Sequence, residues 1–393
     1  MNTSPIAKAS TRPDPETLRE RCGRRLSEAG PALNRLKVFA GFDGFVDRII
    51  HVVDQRENAE RFSRLPTIER FASRAAAAAG KSTNFELVQQ QIKLGGNGPI
   101  LANALATFGA RLTYVGALGW PSAHPVFAPF TERAQVHSVA DPGLTDALEF
   151  EDGKLILSKC DHLRDVNWPN LEARFGRERL AEAFASSELV AFVNWTMLPA
   201  MSDIWETLQR ELMPQLSGPP RRLFLDLADP EKRRREDIRR ALELMVRFRG
   251  PFNVTLGLNE KEAGELAKVL ELPPRPRTEE GLAELAQALH EKIGVDTLVI
   301  HPVRYALTAS PSGVEVVQGP FVPNPKITTG AGDHFNAGFC LGQMLGFSDA
   351  ESLLMGVTTS GHYVRTAQSP THQDLLAMWK QWPGAGSAAV SRP

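Results

Sequence analysis

The chain has 393 residues, 42 % of them apolar, enough for a substantial core in one large domain or two. Its 45 lysines and arginines balance 46 acidic residues for a net charge of −1, which argues against nucleic acid as the main partner. Three widely spaced cysteines, Cys22, Cys160 and Cys340, make neither a disulfide framework nor a metal spacing and point to a reducing cytoplasm.

Residues 1–35 are polar and Arg-rich, with a helical patch around 15–26, and read as an extension outside the core. They lack the apolar run of a signal peptide. A strand over 36–40 leads into Gly41-Phe42-Asp43-Gly44-Phe45-Val46-Asp47. The stretch 52–82 reads as an insertion with helical character, including the alanine run 75–79. Gly80-Lys81-Ser82 looks like the end of a P-loop, but Ala75 stands where its first glycine belongs and no strand precedes it, so Gly80 reads as a helix stop.

A strand-like run over 85–94 ends at Gly95-Gly96-Asn97-Gly98, and a helix over 99–108 is stopped by Gly109. Strands at 112–115, 189–193, 223–227, 252–256 and 297–300 alternate with helical stretches, which predicts a mostly parallel sheet covered by helices on both faces. The segment 147–159 carries a hairpin turn, Glu151-Asp152-Gly153, and with 85–94 predicts a small separate sheet. The apolar stretch 189–201 is broken by Asn194 and Pro199 and is too short to cross a bilayer, so no membrane partner is expected. Lys232-Arg233-Arg234-Arg235, followed by Glu236 and Asp237, reads as a solvated helix face. The tail from Gly384 is rich in small residues and reads as frayed.

Four groups of residues carry candidate chemistry. Thr328-Thr329-Gly330-Ala331-Gly332-Asp333 precedes an apolar helix. Its glycines can turn N–H groups toward an anion at a helix N-terminus, and Asp333 is either a general base or a helix cap. Gly95-Gly96-Asn97-Gly98 is a second helix entry where a ligand could approach backbone, or simply a tight turn. Asn259 and Glu262 share one face of a first helical turn; they could hold a hydrated Mg²⁺, form a capping box, or do both. Asp43 and Asp47 lie at the C-terminal end of the first strand, where ligands of open α/β sheets bind, and carboxylates suit a polyol. The nine histidines show no zinc spacing.

Taken together these residues, with the strand-like runs at 85–94 and 147–159, resemble the PfkB, or ribokinase-like, family of carbohydrate kinases from about residue 36 to 380. The match covers 328–333 with Phe335, Ala337 and Gly338, then Gly95-Gly96 with the helix to Gly109, Gly116 and Gly119, and Asn259 with Glu262. The resemblance implies an α/β three-layer sandwich with a mostly parallel central sheet. It implies a kinase domain over 36–380, a small β lid from elements near 85–94 and 145–160, and a flexible tail over 381–393. It implies ATP-dependent phosphorylation of a hydroxyl on a small sugar or sugar derivative, with Asp333 as the base and Gly330, Ala331 and Gly332 as the anion hole. Thr328, Gly330 and Gly332 would contact the nucleotide. Asp47, with Asp43, Gly95, Gly96 and Asn97, would bind the substrate. Asn259 and Glu262 would organise Mg²⁺ through water. A homodimer through the lid and potassium activation are further options the resemblance raises. A nucleoside or other non-sugar kinase of the same fold, or a non-catalytic binding protein on it, are the alternatives.

Four departures stand out. Ile100 replaces an asparagine common in the family, and His334 follows Asp333, where a protonated imidazole would perturb it. His301-Pro302-Val303 replaces the usual nucleotide loop, and the spacing from Gly41 to Asp47 is one residue long.

Overall fold

The computed structural model describes residues 14–382. In chain order the strands are β1 (Lys37–Phe42), β2 (Phe45–Arg56), β3 (Phe62–Arg64), β4 (Leu87–Gly95), β5 (Arg111–Ala117), β6 (Gln135–Ala140) and β7 (Gly143–Glu149). There follow β8 (Lys154–Lys159), β9 (Leu189–Phe192), β10 (Arg221–Asp226), β11 (Phe252–Leu258), β12 (Thr297–Ile300), β13 (Tyr305–Ser310) and β14 (Gly313–Gln318).

Nine of them form the central sheet in the order β14-β13-β12-β11-β10-β9-β1-β5-β6. Its pairings are parallel except β12–β13 and β13–β14, an antiparallel hairpin at one edge. The inner strands are apolar almost throughout because helices cover both faces; β9 is buried at every position. Alternate residues feed two cores, Phe39 and Phe192 on one face, Val38, Ala40 and Ala191 on the other. The mostly parallel α/β sandwich with a small lid is therefore as expected.

The lid is a five-stranded sheet, β3-β2-β7-β8 with β4 on β2. The long β2 is its hub and leaves the end of β1 through Asp43-Gly44. The hairpin at 151–153 forms as expected, Phe150 N–H donating to the Gly153 carbonyl at 2.9 Å.

Two regions differ from expectation. Only Ile68–Ala76 of the segment 52–82 is regular α-helix; residues 52–56 complete β2, and 62–64 form β3. Tertiary packing decides this: Ile50, Val52, Leu65, Leu148 and Phe150 make a separate lid core, which an extended chain with period 2 can fill.

The segment 14–35 is not outside the core either. The helix Pro15–Ala29 buries Leu18, Cys22 and Leu26 at four-residue spacing in the main core. Arg21 and Arg25 bind the buried Glu351 at 2.9 and 2.6 Å. The expected frayed tail lies, from residue 383 on, outside the described residues. Among the described residues no helix is long and apolar enough to cross a membrane.

Candidate active site

The C-terminal ends of five parallel strands meet at one edge of the sheet. Asp43 follows β1, Asn194 follows β9, Asp226 ends β10, Asn259 follows β11 and His301 follows β12. This is the edge where open α/β sheets bind ligands. Four of these residues, all but Asp43, line a cleft of about 370 Å³. The helix Ala331–Met344 points its N-terminus into the cleft, and Phe45, Asp47, Thr145, Ile156 and Ser158 roof it from the lid.

The turn before that helix needs glycine at 330, whose φ of 88° lies in the left-handed region. The N–H of Ala331 bonds the Thr328 carbonyl at 3.1 Å, so it is not a free donor as expected. Among the described residues the N–H groups of Gly332 and Asp333 have no protein acceptor. They present two donors at the positive end of a helix.

Asp333 is the third residue of the helix, buried, with Oδ1 accepting from Asn97 Nδ2 at 2.9 Å. Burial pushes its carboxyl up to about 8, against the Asn97 hydrogen bond, and the charges of Asp43, Glu262 and Asp47 push the same way. Asn97 itself opens the helix Asn97–Thr107, so the two glycine-rich turns face each other across this one hydrogen bond.

Of the expected substrate ligands, Asp47, Gly96 and Asn97 line the cleft; Gly95 and Asp43 do not. Gly95 acts from behind, since a Cβ there would lie 2.3 Å from Asp47 Cγ. Asp43 is fully buried. Its Oδ1 accepts from the Gly98 N–H and its Oδ2 from Asn194 Nδ2, both at 2.8 Å, while Tyr114 Oη donates to its carbonyl at 2.6 Å. It ties β1, β9 and the glycine turn together. Burial raises its carboxyl to about 6.

Asn259 and Glu262 form the capping box in full. Glu262 Oε2 accepts from the Asn259 N–H and Oε1 from the Asp229 N–H, both at 2.9 Å. The cap therefore also fixes the carboxylate on the cleft wall. Asp226 is the acid that the sequence reading passed over. Its Oδ1 accepts from the Ala228 N–H at 2.8 Å and its Oδ2 from Asn336 Nδ2 at 2.9 Å. Burial, then the charges of Glu262 and Asp333, hold its carboxyl well above the usual range. Its signal was its place at the end of a strand-like run, the rule applied only to β1.

Asn194 was also passed over. It lines the cleft; its Nδ2 is committed to Asp43, while its buried Oδ1 has no partner. Asn194, Ala228 and Asp229 all hold left-handed φ angles of 54–62° without being glycine. Such residues cost about 1–3 kcal/mol each and cluster where function dictates backbone shape.

Asp47, Asp226, Asp229, Glu262 and Asp333 thus face one cationic side chain on the cleft, Lys232, which pairs with Asp229 at 3.2 Å. Lys232 is not merely part of a solvated face. Asp229, Glu231 and Glu265 make a second acidic group, but it already surrounds Lys261 Nζ at 2.7, 2.6 and 3.5 Å.

A second cavity of about 280 Å³ opens on the far side of Gly332. Pro302, Val303, Tyr305, Phe321 and Val322 make it largely apolar, and Thr328 sits on its wall. Gly332 and His301 border both cavities. Burial lowers His301 to about 4, and its ring packs on Phe335 at 4.8 Å. Burial also lowers His334 to about 4, so it is neutral and does not perturb Asp333 as a cation.

The comparisons with known proteins agree with this geometry. A family model described as prokaryotic ketohexokinase matches residues 14–382. The chain is 34 % identical over 372 residues to a ketohexokinase from Haloferax volcanii, covering 93 % of this chain and 96 % of that one. Among solved structures it is similar in fold to the ribokinase of Thermotoga maritima, with a TM-score of 0.59 at 14 % identity, covering 88 % of this chain and 99 % of that one. It is likewise similar to an Arabidopsis thaliana ribokinase complexed with ribose and ATP, with a TM-score of 0.57 at 16 % identity, covering 88 % and 98 %. The chain belongs to the prokaryotic ketohexokinase family, sugar kinases of the PfkB, ribokinase-like group.

Proposed function

We propose that this kinase transfers the γ-phosphoryl group of ATP to a hydroxyl of an unphosphorylated ketohexose. One observation carries the reading: a buried carboxylate, Asp333, and the free N–H groups of Gly332 and Asp333 stand at a helix N-terminus between a polar cleft and an apolar one. The ketohexose is suggested by the Haloferax relative and the family match. The absence of a phosphate is suggested by the cleft, where Lys232 is already paired.

The sugar lies in the cleft under the lid, its hydroxyls donating to Asp47 and to Asn194 Oδ1. The attacking hydroxyl gives its proton to Asp333 as it meets the phosphorus. The adenine fits the apolar cavity, with Thr328 on its wall, and the phosphate chain passes Gly332 into the cleft. Gly330 shapes the turn, and the N–H groups of Gly332 and Asp333 donate to the oxygens of the moving group.

Glu262, Asp226 and Asn259 would hold Mg²⁺ and its waters. The fit is chemical: their side-chain oxygens suit a hard cation, and burial first, with neighbouring acids adding to it, raises both the Asp226 and Glu262 carboxyls. Bound there, the ion would neutralise phosphate charge and carry water-bridged contacts. A tetraanionic nucleotide would otherwise be repelled by the five acids. The three free cysteines fit a cytoplasmic enzyme.

The cleft favours a sugar over a nucleoside, because Phe45 is the one Phe, Tyr or Trp on its wall. Rates over ketoses, aldoses, sugar phosphates and nucleosides test this; a nucleoside as the best acceptor would overturn it. Truncating Asn194 to Ala removes the sugar contact together with the Nδ2 bond to Asp43, and is expected to raise the sugar KM about tenfold or more, with the ATP KM unchanged. An equal rise in both would count against the sugar contact.

The lid exposes Leu87, Ile92, Ile156 and Leu157 on β4 and β8. This supports a homodimer through the lid, since monomers seldom expose such apolar strands. Sedimentation should show a dimer that Leu157→Glu converts to a monomer.

A further inference from the structure

Two side chains outside the cleft hold the 328–333 turn in the shape that leaves its donors free. In a regular helix the Asp333 N–H would bond the Thr329 carbonyl, four residues back. That carbonyl instead accepts from Tyr363 Oη at 3.0 Å. The next carbonyl, of Gly330, accepts twice, from the His334 N–H at 3.1 Å and from His334 Nδ1 at 2.7 Å. A carbonyl only accepts, so Nδ1 carries the proton, and Nε2 accepts from Ser369 Oγ at 2.8 Å. The imidazole lies flat on the Tyr363 ring, centroids 3.6 Å apart and planes 12° apart. Both rings are buried against the helix Asp349–Thr366, which supplies Tyr363, with Ser369 following it.

We infer that His334 and Tyr363 are positioning residues for phosphoryl transfer: by bonding the Gly330 and Thr329 carbonyls they fix the backbone of the turn, and so the placement of the Gly332 and Asp333 N–H groups, unpaired in the first turn of the helix, for the transferring oxygens. The inference rests on reading this turn as the anion hole. Neither ring contacts the reacting groups through its own polar atoms; each acts through a backbone carbonyl. The protonation states suit the task. Burial, with the Asp333 and Asp47 charges, raises the Tyr363 hydroxyl to about 12, so it stays a donor. Burial keeps His334 neutral, and the Gly330 carbonyl facing Nδ1 fixes its tautomer.

The test removes one oxygen. Tyr363→Phe keeps the stacked ring and removes the hydroxyl that holds the Thr329 carbonyl, so the turn loses one anchor and its N–H donors lose their fixed placement. The expected result is a kcat lower by about 10–100-fold, somewhat less than outright loss of an oxyanion donor. The KM values for sugar and ATP stay within about twofold. Binding of ADP–aluminium fluoride in the presence of sugar weakens by the same factor as kcat, while binding of ADP alone does not change. His334→Ala behaves alike, and His334→Asn, which restores an N–H donor near the Nδ1 position, recovers most of the rate. Wild-type kcat in Tyr363→Phe, with Asp333→Asn inactive, would overturn the clamp. So would a loss that appears equally in ADP binding, which marks general disruption. Full activity of Asp333→Asn would instead sink the underlying assignment of the turn, so the two failures are told apart.

Discussion

Replacing Asp333 with Asn is expected to lower kcat by about 10²–10⁴-fold, the usual worth of a positioned general base, while the protein melts at a higher temperature near neutral pH. The two effects share one cause. The carboxyl is buried and raised from 3.8 to about 8, so the folded state holds its proton more tightly than the unfolded chain. The stability tied to that proton is complete below about pH 4 and is lost as pH rises through about 8. The amide has no proton to lose, so the variant escapes that loss. It can still accept from Asn97, which keeps the facing turns in register. Initial rates with saturating sugar and ATP, and ligand-free melts from about pH 5 to about pH 9, measure both effects. A variant with full activity would remove Asp333 from the base role; one with a lowered melting temperature would contradict the raised carboxyl.

Replacing Asp226 with Asn should raise the half-saturating Mg²⁺ concentration about 10–100-fold and leave the sugar KM nearly unchanged. Charges about 4 Å apart interact by about 4 kcal/mol at an effective dielectric of 20, and a third of that is already tenfold. The substitution is sterically quiet for a specific reason. Asp226 Oδ1 would persist as an amide oxygen for the Ala228 N–H. The new NH₂ would meet Asn336, whose own Oδ1 has no partner, so turning that amide over restores a matched pair. The charge changes and the shape does not. Magnesium titrations of the rate, run beside ligand-free melts, check this. The melting temperature should rise, because Glu262 and Asp333 no longer face a third buried acid. An unchanged magnesium requirement would remove Asp226 from the cation site.

The parallel sandwich was legible because its strands are short apolar runs separated by helical periods, a pattern set by burial on both faces. The lid was half legible. Its β7–β8 hairpin announced itself through Asp152-Gly153, but β2 and β3 did not, since their alternation serves a small core that exists only once Ile50, Leu65 and Phe150 meet. The helix Pro15–Ala29 was read as outside the core because its surface is rich in arginine. Its three buried positions and the pairing of Arg21 and Arg25 with Glu351 depend on a helix more than three hundred residues away.

At the site, motif spacing identified the residues whose backbone does the work: Gly330 for its left-handed turn, Gly96 and Asn97 for the facing turn, Asn259 and Glu262 for a cap that local geometry alone can close. The sequence by itself therefore determined the glycine turn at 330–332, the cap at Asn259 and Glu262 and the layered sheet, all set by neighbours within a few residues. Only the tertiary structure decided which acids line the cleft. Asp43 and Asp47 are equivalent in sequence, yet one is buried by Gly98, Asn194 and Tyr114 while the other faces the cleft. Asp226, Asn194 and Tyr363 acquire their places from the convergence of strand ends and helices far apart in the chain. Burial and hydrogen-bond partners set a side chain's charge and direction, and those partners are supplied by the fold.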